Sequence, residues 1–112
     1  MKLVTAIIRP ERVSVVQNAL EEFGVNGLTI SQAGGYGRQR GHRQVYRGVT
    51  YSSDLLPKVR LDVVADDMDA MQICRVVLDA ARTGNPGDGK VWVTTVDEVF
   101  RVSDGTRGHE AV

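Results

Sequence analysis

One cysteine, Cys74, stands in a chain of 112 residues, so no disulfide framework forms within it. With only His42 and His109 beside it, a structural zinc site is excluded as well. Aromatic residues make up 5% of the chain, too few for the stacking platforms of a single-strand nucleic-acid binder. Charge of neither sign dominates: 14 Lys and Arg balance 14 Asp and Glu, which argues against non-specific nucleic-acid binding by the whole domain. No apolar run approaches the roughly 20 residues that a membrane span needs. Met1-Lys2 leads directly into strand-like sequence, leaving no room for a leader, so the cytoplasm is the expected location and membrane insertion is not expected.

The apolar residues that are present fall into two similar halves. Lys2 to Ile8 is almost continuously apolar and β-rich, as in a buried strand. Pro10 ends it and suits a first helical turn; Val13, Val16, Leu20 and Phe23 follow at helical spacing, and Gly24 marks the stop. A second strand runs from Leu28 towards Gly34-Gly35. Val59, Leu61 and Val63 then alternate with Arg60 and Asp62, a half-buried strand. Asp66 is placed to cap a second helix with Met71, Cys74, Leu78 and Ala81 as its inner stripe, so Cys74 reads as core packing. Gly84 ends that helix, Val91, Val93 and Val96 mark another strand, and Val99 to Val102 a short last one. Two β-α-β halves in series predict an α+β fold, the split β-α-β of a ferredoxin-like sandwich, as a single domain over 1–112. Strands that look apolar on both sides call for a partner over the helix-free face.

Three segments fall outside that periodic pattern. Tyr36 to Asp54 carries four arginines, three tyrosines, three glycines and one acid with no consistent period. So long a loop within a small domain is expected to be functional, mobile alone and ordered by a ligand or partner. Thr83 to Lys90 (TGNPGDGK) has the glycines and lysine of a phosphate cradle. It is no P-loop, because Val91 stands where Ser or Thr is needed and a strand follows where a helix should; a plain Gly-rich turn is the alternative. The tail from Arg101 to His109 places two arginines around a polar, Gly-containing stretch, which suits either an anion site or a solvated end. No serine or histidine sits in a nucleophile-and-base pattern, so binding without catalysis is expected.

Four stretches in order carry a resemblance. Gly35-Tyr36-Gly37-Arg38-Gln39-Arg40-Gly41-His42, Tyr46-Arg47-Gly48-Val49-Thr50-Tyr51, Pro57-Lys58-Val59 and Thr83-Gly84-x-x-Gly87-Asp88-Gly89-Lys90-Val91, with the closing Arg107-Gly108-His109, resemble the PII signal-transduction family over essentially the whole chain. The resemblance implies a trimeric signalling protein, not an enzyme, with ATP or ADP bound in clefts between subunits. It implies that Gly87, Asp88, Gly89 and Lys90 cradle phosphates and that Arg101 reaches in from the tail. It likewise implies that Thr29, Gly35, Gly37, Arg38 and Val64 line the nucleotide, with Ile7 near the base. By the same likeness Gln39 would ligate the Mg²⁺ that joins ATP to 2-oxoglutarate, and Lys58 would pair with a 2-oxoglutarate carboxylate. Tyr51 matches the loop tyrosine that some members have uridylylated or adenylylated by a nucleotidylyltransferase. Arg47 matches the arginine that plugs an ammonium channel.

The chain also departs from that pattern. Ser103 stands where members commonly carry a second tail arginine, and Val49-Thr50 replace a small residue and an acid beside Tyr51. Arg9 and Glu11 replace a usual lysine and apolar residue, and Asn85-Pro86 alter the glycine turn. Two rival readings follow from the same residues: a nucleic-acid-binding ferredoxin-like module and a low-turnover ATPase.

Overall fold

The computed structural model describes residues 1–37 and 55–112 together with the backbone of 43–46 and 49–52. Strand β1, Lys2–Ile8, leads through a 3-10 turn at Pro10–Arg12 into helix α1, Val13–Phe23, and then into β2, Thr29–Gly35. Strands β3, Arg43–Tyr46, and β4, Val49–Ser52, pair only with each other. Strand β5, Leu56–Ala65, helix α2, Asp67–Ala81, and β6, Gly89–Thr95, complete the second half, and a 3-10 turn at Gly108–Ala111 lies near the end.

The main sheet has the order β2-β5-β1-β6 with every neighbouring pair antiparallel. Each β-α-β half therefore steps over one strand of the other, which is the ferredoxin-like split β-α-β topology that the two apolar halves predict. Pro10 sits at the first position of its turn with Arg9 extended before it, and Gly24 closes α1 in the left-handed region at φ 112°.

The helices cover one sheet face. Val4, Ala6 and Ile8 of β1 and Leu61, Val63 and Ala65 of β5 pack there against Val16 and Leu20 of α1 and Ile73 and Val77 of α2. The inner stripe of α2 differs from expectation. Ala70, Ile73, Cys74, Val77 and Ala81 are buried, whereas Met71 and Leu78 are 71% and 46% exposed. Both stripes share Cys74 and Ala81, so hydropathy leaves the helix phase open by one residue; small Ala70, rather than long Met71, is what close packing under the helix admits.

Directly paired residues share a face, so Leu3, Thr5 and Ile7 lie on the helix-free side with Arg60, Asp62 and Val64 and with Lys90 and Trp92. This face is mixed rather than apolar. Thr5, 1% exposed, donates its hydroxyl to Asp62 Oδ1 at 2.8 Å, and Arg60 Nε donates to Asp62 Oδ2 at 2.9 Å. Those bonds, Arg60 foremost, hold the Asp62 carboxyl below its usual pKa range.

Three further expectations change. The segment 36–54 contains the paired strands β3 and β4, with Tyr46 opposite Val49. Val45, Val49, Thr50 and Tyr51 are strong β-formers, a local signal that the lack of a longer period conceals. The expected strand at Val99 to Val102 is a single bridge, Phe100 to Arg107, because the chain turns back at once: Gly105 N–H bonds Arg101 O at 2.8 Å and Arg101 N–H bonds Thr106 O at 2.7 Å. Asp66 occupies the N-cap position of α2 without a side-chain cap bond, its carboxylate being taken by His109.

Candidate functional site

The sheet register gathers one group of candidate residues at one end. Ile8 lies opposite both Val59 and Gly89, Ile7 opposite Lys90, and Gly35 opposite Leu56. The turn from α2 to β6 curls beneath them. A cavity of about 700 Å³ results, lined by Ile7, Gly35, Gly37, Lys58, Gly87, Asp88, Gly89 and Lys90, together with Tyr36, Leu56, Asn85, Pro86 and Trp92.

Asp88 organises the turn. Its Oδ2 accepts from the backbone N–H groups of Thr83 at 2.8 Å and Gly84 at 2.9 Å. Its Oδ1 accepts from the Thr83 hydroxyl and from Arg9 Nε at 2.9 Å, and Arg9 Nη2 donates to Pro86 O at 2.7 Å. The Thr83 hydroxyl first, then the Arg9 guanidinium, hold the carboxyl far below its usual pKa range. The Asp88 side chain thus faces the turn's own donors, and what the cavity meets at 87–90 is loop backbone and Lys90, with Lys58 beside them from β5. Gly89 has φ 104°, and a Cβ there would stand 1.7 Å from Ile7 O, so the strand backbones close directly on each other at this point. Lys58 Nζ donates to Gly87 O at 2.6 Å. Burial, then the nearby Arg9 charge, lowers its pKa.

A second group lies at the other end of the same strands. Thr29 and Val64 line a separate cavity of about 910 Å³ with Phe23 to Leu28, Asp62, Asp66, Asp69, Ile73, Val99 and the end of the chain from His109 to Val112. Thr29 and Gly35 are the two ends of β2, separated by roughly 20 Å at a strand rise of about 3.3 Å per residue. Arg101 lines neither cavity: Nη1 meets Asp104 Oδ2 at 3.1 Å and Nη2 donates to Glu110 O at 2.6 Å. Arg107 makes a two-pronged pair with Glu98 at 2.9 and 2.7 Å and stacks over Phe100. Arg38, Gln39 and Arg47 lie outside the described residues, and Tyr51 is placed by the β4 backbone opposite Gln44.

Sequence reasoning missed two residues of the glycine-turn end. Arg9 was visible only as a departure from a family pattern; its partner is 79 positions away, and no local signal links them. Trp92 had a local signal, since it falls two residues after Lys90 on the same side of a strand. Among the described residues no group of three His, Cys, Asp or Glu is placed to hold a metal, and no helix is long and apolar enough to cross a membrane.

Fold and register together define a ferredoxin-like α+β domain with a glycine-turn cavity at one end of its sheet and a second cavity, under the chain terminus, at the other. The nitrogen regulatory protein P-II family profile matches residues 1–106. The nitrogen regulatory protein P-II of Rhizobium meliloti (strain 1021) is 44% identical over all 112 residues of both chains, and that of Azospirillum brasilense matches to the same extent. Nitrogen regulatory protein P-II 1 of Methanothermobacter thermautotrophicus is 45% identical over the whole of this chain and 97% of its own length. The chain belongs to the P-II family of nitrogen regulatory proteins, a family of signal transducers.

Proposed function

We propose that this protein is a homotrimeric sensor of ATP or ADP and of 2-oxoglutarate in the cytoplasm. Residues 36–54 are its effector loop, 83–90 its phosphate loop and 101–109 its tail loop. The observation that supports this best is the division of the nucleotide-site candidates into two sets at opposite ends of the sheet. Ile7, Gly35, Gly37 and Gly87 to Lys90 surround one cavity, while Thr29 and Val64 line another roughly 20 Å along the same strands. One copy cannot wrap both sets around a single nucleotide; the glycine-turn end of one copy against the Thr29 end of the next can. The mixed face carrying Leu3, Ile7, Val64 and Trp92 gives such an assembly apolar area to bury.

Within the cavity, backbone N–H groups of 87–90 with Lys90 suit phosphate oxygens, and Arg38 and Arg101 add charge from the neighbouring segments. Mg²⁺ is a hard cation that keeps waters and phosphate oxygens as ligands. The cavity fits that habit: its one carboxylate among the described residues, Asp88, is engaged by turn donors, which would leave the ion to ligand oxygens and the Gln39 amide. Gln39 would hold Mg²⁺ beside ATP, the ion supplying positive charge that 2-oxoglutarate oxygens would share, and Lys58 would pair with a 2-oxoglutarate carboxylate. Effector binding then sets the conformation of the arm that carries Arg47 towards an ammonium channel and Tyr51 towards a nucleotidylyltransferase.

Calorimetric titration tests the ligands. The expected result is tight 2-oxoglutarate binding only with Mg²⁺ and ATP present, with the reciprocal effect on ATP that linkage requires. Equal 2-oxoglutarate affinity with and without nucleotide defeats the assignment, as does unchanged affinity in Lys58→Ala. Light scattering that finds a stable monomer at micromolar concentration defeats the shared site.

A further inference from the structure

The tail turn holds Arg101 in a particular state. Arg101 O accepts from Gly105 N–H at 2.8 Å and Arg101 N–H donates to Thr106 O at 2.7 Å, so the turn is closed on both sides. Asp104 sits inside it. One carboxylate oxygen, Oδ1, accepts from the Thr106 backbone N–H at 2.9 Å, which fixes the side chain in an Asx-type turn. The other, Oδ2, thereby faces Arg101 Nη1 at 3.1 Å, while Nη2 is committed to Glu110 O at 2.6 Å. The guanidinium charge is matched by an acid three residues away, and donors from both of its terminal nitrogens are engaged inside the tail.

We propose that Asp104 is an affinity-setting residue that competes with polyphosphate for Arg101, holding the tail in a self-paired state that an anionic ligand must open. The proposal rests on Arg101 being a phosphate-contacting residue of the shared site. A triphosphate approaching Arg101 either displaces the Asp104 carboxylate or accepts a negative charge beside it; both weaken binding. The Thr106 bond matters here, because it keeps Oδ2 in place rather than letting the side chain swing into solvent. Both partners are about half exposed, at 44% and 50%, so the competition is that of a surface ion pair rather than a buried one.

Asp104→Asn removes the charge and leaves an amide oxygen for Thr106 N–H, so the turn is retained. ATP titrated calorimetrically into the full chain is expected to bind Asp104→Asn about two- to fivefold more tightly than the parent, the size of a surface pair. The gain should shrink as salt is raised. Arg101→Ala is expected to weaken ATP binding, and adding Asp104→Asn to it should give no further gain. Unchanged ATP affinity in Asp104→Asn, with a clear loss in Arg101→Ala, overturns the competition while leaving the tail in the site. A gain that persists in the double variant assigns the effect to bulk charge and also overturns it. Unchanged affinity in Arg101→Ala sinks the reading of Arg101 as a ligand, and the proposal falls with it.

Discussion

The two ends of the sheet handle charge in opposite ways. At the glycine-turn end Arg9, Lys58 and Lys90 gather around Asp88, whose carboxylate is consumed in shaping the turn, with Glu11 at 3.9 Å from Arg9 as a looser neighbour. At the tail end three cations each face an acid of their own: Arg101 with Asp104, Arg107 with Glu98, and the His109 ring with Asp66. The first end is therefore built before a ligand arrives, with backbone donors and cationic excess fixed by the fold. The second holds its charges in self-contained pairs. Preorganised groups cost little to recruit, whereas paired ones must first be released. Anion recognition by this chain should accordingly depend on the turn, with the tail acting as an adjustable contribution.

The largest effect should come from testing rigidity at each end with the same change. Gly89→Ala puts a Cβ onto Ile7 O at a backbone angle that side chains rarely adopt. Strain and overpacking together should cost about 3 kcal/mol or more. Gly105→Ala in the tail meets nothing within 4 Å and carries only the left-handed penalty at φ 73°, about 1–2 kcal/mol. Thermal melts of the two variants measure the contrast; equal, small shifts would erase the distinction between a built end and an adjustable one.

Smaller, but on the ligand itself, is the effect of Ser103→Arg. A hydroxyl offers one donor and no charge, whereas a guanidinium adds a cation to a tail whose existing cations are paired. ATP affinity should rise about tenfold, the worth of one charge-assisted hydrogen bond. An unchanged titration would mean that position 103 does not face the phosphates.

Arg9→Ala sharpens the comparison from the turn side. Removing the guanidinium leaves Asp88 its Thr83 and Gly84 donors but frees Pro86 O, so the turn should loosen while the sheet stays intact. Amide protection at Thr83 and Gly84 should drop with little change in melting temperature. The pH dependence has a defined sign. Asp88 has its folded pKa depressed, so its contribution is present above the ordinary carboxylate value of about 3.9 and lost as pH falls below it. Protection at 83–84 that ignores both the substitution and acid would separate Asp88 from the turn's integrity.

Why the turn end was legible in the sequence and the tail end less so has a physical basis. Glycines, a lysine and the strand that follows are local features, and Gly35, Lys58 and Gly87 to Lys90 come together because antiparallel register aligns strand ends. The two-helix sheet followed in the same way from two runs of apolar period. What escaped depended on side chains meeting across long separations or on packing phase. Arg9 reaches Asp88, His109 takes the carboxylate expected to cap α2, and Ala70 rather than Met71 turns inward. None of these is written in a window of a dozen residues. The tail was open between anion site and solvated end, because its arginines acquire their meaning from Asp104, Glu98 and Glu110, which only the folded turn brings to them.

The smallest expected effect lies in the pairing that pins the end of the chain. The His109 ring nitrogen Nδ1 stands 2.6 Å from Asp66 Oδ1, and the ring is 77% exposed, so the contact is weakly held and readily titrated. Asp66, first through its hydrogen bond and then its charge, raises the His109 pKa, with Glu110 and Asp69 adding to the same direction. The opposing cations nearby are the terminal ammonium, engaged with Asp67 at 2.9 Å, and Arg101, bound to the Glu110 carbonyl. A folded pKa above the ordinary value means that the contact contributes fully below about 6.5 and loses its contribution as pH rises through the higher folded value. Protection factors for the amides of residues 108–112 should therefore fall as pH rises above the ordinary histidine value of about 6.5, after correction for intrinsic exchange. His109→Gln keeps a hydrogen-bonding side chain and removes the titration, so its profile should be flat. Matching profiles in the two proteins would show that the tail is held by its other contacts, such as the Gly108 N–H to Val99 O bond, the Phe100 bridge and the Arg101 bond to Glu110 O, and that His109 does not set its docking.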